Sequence, residues 1–117
     1  MRLLNDMFTV TGGGHDKIEL RLNAGHPIYK AHFPGNPITP GVCIVQLIGE
    51  LASERVGRSL RLGKIVNLKF VAPISPVDDA DVEVVFTAVD DTTTACKVMG
   101  TIEGKDGLKT KFSIVYV

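Results

Sequence analysis

Residues 26–42 read His26-Pro27-Ile28-Tyr29-Lys30-Ala31-His32-Phe33-Pro34-Gly35-Asn36-Pro37-Ile38-Thr39-Pro40-Gly41-Val42, and this stretch decides the fold. Four of the chain's six prolines fall within it. Each proline removes a backbone donor and restricts the residue before it, so residues 25–41 can form neither a long helix nor a central strand. They read as a shaped loop. A loop this long inside a small domain is more often functional than not.

Working outward, the loop runs into a helix expected from roughly Pro40 to Val56, with Thr39 as N-cap, Pro40 at the first helical position and Gly57 as the stop. Val42, Ile44, Val45, Leu47, Ile48, Leu51 and Ala52 leave almost no polar face in its first two turns. Such a helix is buried on most sides. Upstream, Lys17 to Leu22 alternates polar and apolar residues, the period of a half-buried strand. Gly12-Gly13-Gly14 reads as a turn after Met7 to Thr11, since it lacks the Lys and Ser/Thr of a phosphate loop. Downstream, strands are expected over roughly Leu60 to Val71, Asp81 to Val89, Thr94 to Glu103 and Leu108 to Val117. Asp90-Asp91 and Gly104-Lys105-Asp106-Gly107 are the expected hairpin turns. One apolar helix with five or six antiparallel strands predicts an α+β domain whose sheet wraps the helix.

The 117 residues suit one domain, residues 1–117, with a single core. Thirteen Lys+Arg balance thirteen Asp+Glu, which argues against nucleic-acid or polybasic membrane binding. No apolar run approaches the ~18 residues of a membrane span, and the start, Met1-Arg2-Leu3-Leu4-Asn5-Asp6, is not followed by a signal-peptide core. Cys43 and Cys96 form no CxxC pair or disulfide framework, which fits a reducing compartment. A cytoplasmic protein is the expectation. Charge is uneven: Arg55, Arg58, Arg61, Lys64 and Lys69 lie close together, whereas Asp78 to Asp91 holds six acids and no base.

His32-Phe33-Pro34-Gly35, then Pro37 and Pro40-Gly41-Val42, resembles the HFPG-x-P-x-x-PGV signature of the FabZ and FabA type of 3-hydroxyacyl-[acyl-carrier-protein] dehydratases. Leu3-Leu4 and Phe70-x-x-Pro73-x-x-Pro76 ahead of an Asp are compatible with it across nearly the whole chain. The resemblance implies a hotdog fold, a long central helix wrapped by an antiparallel β-sheet, and a homodimer or larger assembly with sites at the subunit interface. It further implies a thioester substrate carried on an acyl carrier protein or coenzyme A. No cofactor or metal is needed, because loss of water involves no redox change.

Elimination from a 3-hydroxyacyl thioester requires a base near neutral pKa, a donor for the enolate-like oxygen and an acid for the departing hydroxyl. His32 suits the base. The Gly41 N–H at the helix start suits the donor, with Phe33 and Val42 beside the substrate. The third task departs from the family pattern: the acidic residue is expected at position 46, which is Gln46, and the Gln expected four residues on is Glu50. Residues four apart share a helix face, so Gln46 and Glu50 are the candidates for handling hydroxyl or water. Three readings follow: Glu50 or an ordered water replaces the acid and dehydration survives; Glu50 or His32 activates water for thioester hydrolysis; or the protein binds acyl thioesters without turnover, as a partner of an active homologue.

Plainer readings stand beside these. Glu50 also suits an interface or solvent-facing helix position, because burying a carboxylate is costly unless it is paired. His26, at the head of the loop, suits a structural hydrogen bond. His15, His26 and His32 lack the spacing of a metal site. Cys43 reads as helix packing, since no base lies near it in sequence. Arg55, Arg58 and Arg61 form a candidate docking face for an acidic carrier protein, or a solvated face with local ion pairs.

Overall fold

The computed structural model describes residues 2–117. Six strands, a single helical turn and one long helix follow in the order β1 (Phe8–Gly13), β2 (Lys17–Leu22), the turn α1 (Ile28–Ala31), α2 (Gly41–Val56), β3 (Leu62–Phe70), β4 (Asp81–Asp91), β5 (Cys96–Gly104) and β6 (Gly107–Tyr116) among the described residues. The strands form one sheet in the order β1-β2-β4-β5-β6-β3, antiparallel at every pairing. β1 and β3 are its edges. This is the α+β architecture of a sheet wrapped on a central helix.

Alternation sorts each strand into two faces. Val82, Val84 and Phe86 of β4, Val98 and Ile102 of β5, and Phe112, Ile114 and Tyr116 of β6 turn inward onto α2. The helix answers with Cys43, Ile44, Val45, Leu47, Ile48, Leu51 and Ala52, all buried, and with Glu50. Gly49 lets the sheet come close: a Cβ there would meet the Tyr116 ring at 2.7 Å. The Tyr116 hydroxyl donates to the Val45 carbonyl at 2.6 Å, fixing the ring against the helix.

Three local expectations shift. Pro40, not Thr39, is the N-cap, with extended dihedrals (φ −62°, ψ 146°), and Gly41 is the first helical residue. Thr39 is spent elsewhere, its hydroxyl pairing with that of Tyr29 at 2.9 Å. Asp90 and Asp91 belong to β4, paired with Lys97 and Cys96, so the reversal falls over residues 92–95. Gly12 and Gly13 extend β1, pairing with Glu19 and Ile18. The C-terminal stop is as expected: Gly57 takes a left-handed conformation (φ 74°) and donates to the Ser53 carbonyl.

Candidate active site

The proline-rich loop is held at both ends. Asn36 N–H donates to the Phe33 carbonyl at 3.0 Å, closing a turn with Pro34 and Gly35 at its centre, where φ of +78° at Gly35 suits glycine. Ile38 N–H donates to the His32 carbonyl at 3.0 Å, and Thr39 N–H to the Ile74 carbonyl at 2.8 Å. His32 follows α1 and its ring stacks on Phe33, centroids 4.5 Å apart. Its imidazole is partly exposed.

Pro40 turns the chain into α2, and its carbonyl accepts the N–H groups of Cys43 and Ile44. The N–H groups of Gly41 and Val42 have no acceptor among the described residues. Unpaired donors at a helix start, reinforced by its dipole, favour an oxygen that gains negative charge. His32 and Gly41 line one cavity of about 350 Å³, with Pro40, Ile44 and Phe70 in its wall. The sequence-derived base and donor are therefore brought together.

Gln46 lies beyond that wall. With Gly41, Val45, Leu62, Ile65 and Phe70 it lines a second, apolar cavity of about 410 Å³ between α2 and β3. Phe70 borders both cavities, and its ring lies over Gly41, where a Cβ would meet it at 2.9 Å. His32 lines the first of these cavities and Gln46 the second. Val42 and Phe33, the other candidate substrate contacts, are exposed on the protomer surface.

Glu50 is 8% exposed and its carboxylate is fully engaged. Oε1 accepts from Leu3 N–H at 3.0 Å and Leu4 N–H at 2.8 Å; Oε2 accepts from Leu3 N–H at 2.7 Å and from Gln46 Nε2 at 2.8 Å. Such bonds offset the cost of taking polar oxygens out of water. All of them arrive from N–H donors, so the carboxylate serves as an acceptor.

The arginines divide. Arg55 donates to the His15 carbonyl and to Asp16, and Arg58 to Asp91 and the Thr92 carbonyl. Arg61 makes no ion pair among the described residues and lines a polar cavity of about 750 Å³ with Arg2, Gln46 and Glu50. Burial pushes the Cys43 and Cys96 thiols up, which disfavours a thiolate nucleophile. Among the described residues, no group of three His, Cys, Asp or Glu side chains gathers as metal ligands. Sequence reasoning assigned no role to Phe70, Tyr116 or the N-terminal residues that Glu50 holds. The glycines opposite the two rings, Gly41 and Gly49, were the available signal.

The profile of the ApeI-like family, described as ApeI dehydratase, matches residues 11–104. Among curated relatives, the chain is 33% identical over 94 residues to the 3-hydroxyacyl-[acyl-carrier-protein] dehydratase FabZ of Erwinia tasmaniensis, covering 72% of this chain and 62% of that one. It is 29% identical over 85 residues to the FabZ of Ligilactobacillus salivarius, covering 67% and 61%. The matched region thus spans about three-fifths of these relatives' length. Among solved structures, it is similar to the dehydratase heterocomplex ApeI:P from Xenorhabdus doucetiae, with a TM-score of 0.60, 15% identity and 91% of each chain covered. It is also similar to a thioesterase from Haemophilus influenzae, with a TM-score of 0.61, 12% identity and coverage of 96% and 78%. The fold is the hotdog fold these structures share, and the chain belongs to the ApeI-like dehydratase family.

Proposed function

We propose that this chain acts on 3-hydroxyacyl thioesters as a dehydratase, releasing water and a 2-enoyl thioester. The observation that carries this reading is the cavity that His32 and Gly41 both line. The Gly41 N–H receives the thioester carbonyl, and His32 takes the proton from the carbon beside it. The C–O bond at the next carbon then breaks. With Glu50 engaged as an acceptor, the imidazolium formed on His32 returns that proton to the departing hydroxyl, so water leaves and the base is restored. Gln46 orients the hydroxyl without protonating it. No cofactor takes part.

Two copies complete the site in this reading. Among the described residues β3 pairs only with β6, and Leu62, Ile65, Val66, Phe70 and Val71 are exposed on or beside it, with Val42 lining the apolar cavity between α2 and β3. A second copy along that edge covers these side chains and sets Gln46 of one copy near His32 of the other. The substrate's thiol arm belongs to an acyl carrier protein or coenzyme A, and Arg61 is the arginine left to attract an acidic carrier. Charge reversal at Arg61 is expected to weaken carrier-protein turnover and its salt dependence.

Gln46 favours a second reading, in which this chain is the acyl-binding subunit of a heteromeric dehydratase and turns over little by itself. The fold shared with thioesterases leaves hydrolysis as a third outcome. The test incubates the purified protein with a short 3-hydroxyacyl thioester and with its enoyl partner. Interconversion lost in His32→Ala supports dehydration, free thiol supports hydrolysis, and neither supports the binding subunit. Gln46→Glu sharpens the result. The substitution puts a carboxyl at the position where the family pattern expects the acid. Dehydratase turnover is expected to rise by about a hundredfold or more, the usual range for general acid catalysis. A fall would assign Gln46 a function of its own.

A further inference from the structure

We infer that the N-terminal segment, residues 3–8, is a strap that ties the Gln46 side of the site to the His32 loop, with Glu50 as the positioning residue that anchors it. The inference rests on the reading of His32 and Gln46 as acting residues. Glu50 is the first link, its carboxylate holding the Gln46 amide and the N–H groups of Leu3 and Leu4 together. The segment then folds on itself: Asp6 N–H and Met7 N–H both donate to the Leu3 carbonyl, at 3.0 and 2.7 Å. Leu3, Met7 and Phe8 are buried, so the strap is packed down as well as bonded.

Its far end holds the loop. Asn23 donates through N–H to the Met7 carbonyl at 2.8 Å and through Nδ2 to the Asp6 carbonyl at 3.0 Å, and its Oδ1 accepts from Gly25 N–H at 3.0 Å. His26 is clamped between two groups. Its Nδ1 accepts from Ile28 N–H at 3.2 Å, which leaves the proton on Nε2, facing Asp6 Oδ2 at 3.3 Å. Ile28 opens α1, and α1 ends at His32. An unbroken series of bonds therefore runs from Gln46 through Glu50, the strap, Asn23 and His26 to the turn that carries His32. This accounts for a buried carboxylate on an apolar helix, and gives His26 a purpose beyond local structure.

The test separates positioning from acid catalysis by amide hydrogen exchange and steady-state kinetics on the full chain. Glu50→Gln sets an NH₂ group against N–H donors and leaves Leu3 or Leu4 unpaired. Exchange over residues 23–32 is expected to accelerate by roughly tenfold or more, the effect of losing a hydrogen bond to a charged group. Asp6→Asn, at an exposed position that does not threaten folding, is expected to accelerate the same amides. Both variants lower kcat more than they raise KM. The double variant is no slower than Glu50→Gln alone, because both cut one series of bonds, and Glu50→Asp restores part of the loss. Unchanged exchange over residues 23–32 in both variants overturns the strap, as does additive loss of kcat. The exchange experiment needs no substrate, so a protein that proves inactive defeats the functional reading without deciding the strap.

Discussion

At Gly41 one missing side chain serves two ends. The residue opens α2 with an N–H that has no acceptor among the described residues, and Phe70 closes over the space a Cβ would fill. Gly41→Ala pushes that half-exposed ring aside; because the ring has room to move, the stability cost should be about 1 kcal/mol, the low end for overpacking. Activity should suffer more, since the displaced ring crowds the cavity shared with His32. Urea denaturation and kcat/KM measured together check this, and equal losses in both would argue against a role for the cavity beside Gly41. The glycine itself was legible, because a helix expected to begin near Pro40 leaves the N–H groups of its first turn unpaired. Its partner was not. Phe70 lies 29 positions away, and no local pattern says which ring will cover which glycine. Glu50 was legible only as an anomaly: sequence spacing joined it to Gln46, while the backbone donors that explain it arrive from the N-terminus through tertiary folding.

At the scale of elements, the helix and strands were readable because hydrophobic periodicity is a local signal. Gly57 stops α2 as glycine does after a helix, and β4 to β6 follow their alternation. The limits moved where tertiary contacts outbid local preference. Thr39 has the chemistry of an N-cap, but its hydroxyl faces the buried Tyr29 and Pro40 takes the cap position. Asp90 and Asp91 have turn chemistry, yet they extend β4 against β5, where Arg58 neutralises Asp91. α2 and β6 approach closely at Gly49 and Tyr116. Alanine in place of a mid-helix glycine ordinarily stabilises by about 1 kcal/mol. Here the added methyl meets a ring pinned through its hydroxyl, and overpacking costs 1–3 kcal/mol. Gly49→Ala should therefore leave the protein less stable, by about 1 kcal/mol net. A rise in the denaturation midpoint would mean that Tyr116 moves more freely than its bond to Val45 suggests.

For the whole molecule, two properties follow from what is buried and what is not. Burial raises the pKa of Tyr29, Cys43, Cys96 and Tyr116, with Tyr116 shifted furthest. Groups whose folded pKa lies above the unfolded value contribute stability that is complete below the unfolded pKa and fades as pH rises beyond it. Tm should hold steady up to about pH 8, then fall as unfolded cysteine and tyrosine ionise near their ordinary values of about 8.5 and 10. Thermal melts across that window check the sign, and a Tm that climbed with pH would contradict it. The second property is the β3 edge. Its apolar side chains were visible in the sequence, but a strand pattern does not say whether the other face meets a helix, water or a second chain. Exposed apolar edges invite pairing, and natural proteins guard them with charge when they are meant to stay single. Here Val66 stands 48% exposed on an edge flanked by further exposed apolar residues, with one neighbouring strand. Val66→Asp introduces a charge that the protomer already solvates, so the monomer should keep its fold and far-ultraviolet circular dichroism. A dimer joined along β3 must bury that charge, so light scattering should report the variant as monomeric at concentrations where the native chain pairs. Activity should fall with it, because His32 and Gln46 line separate cavities within one protomer. A variant that stays dimeric and active would place the partner, and the rest of the site, on another face.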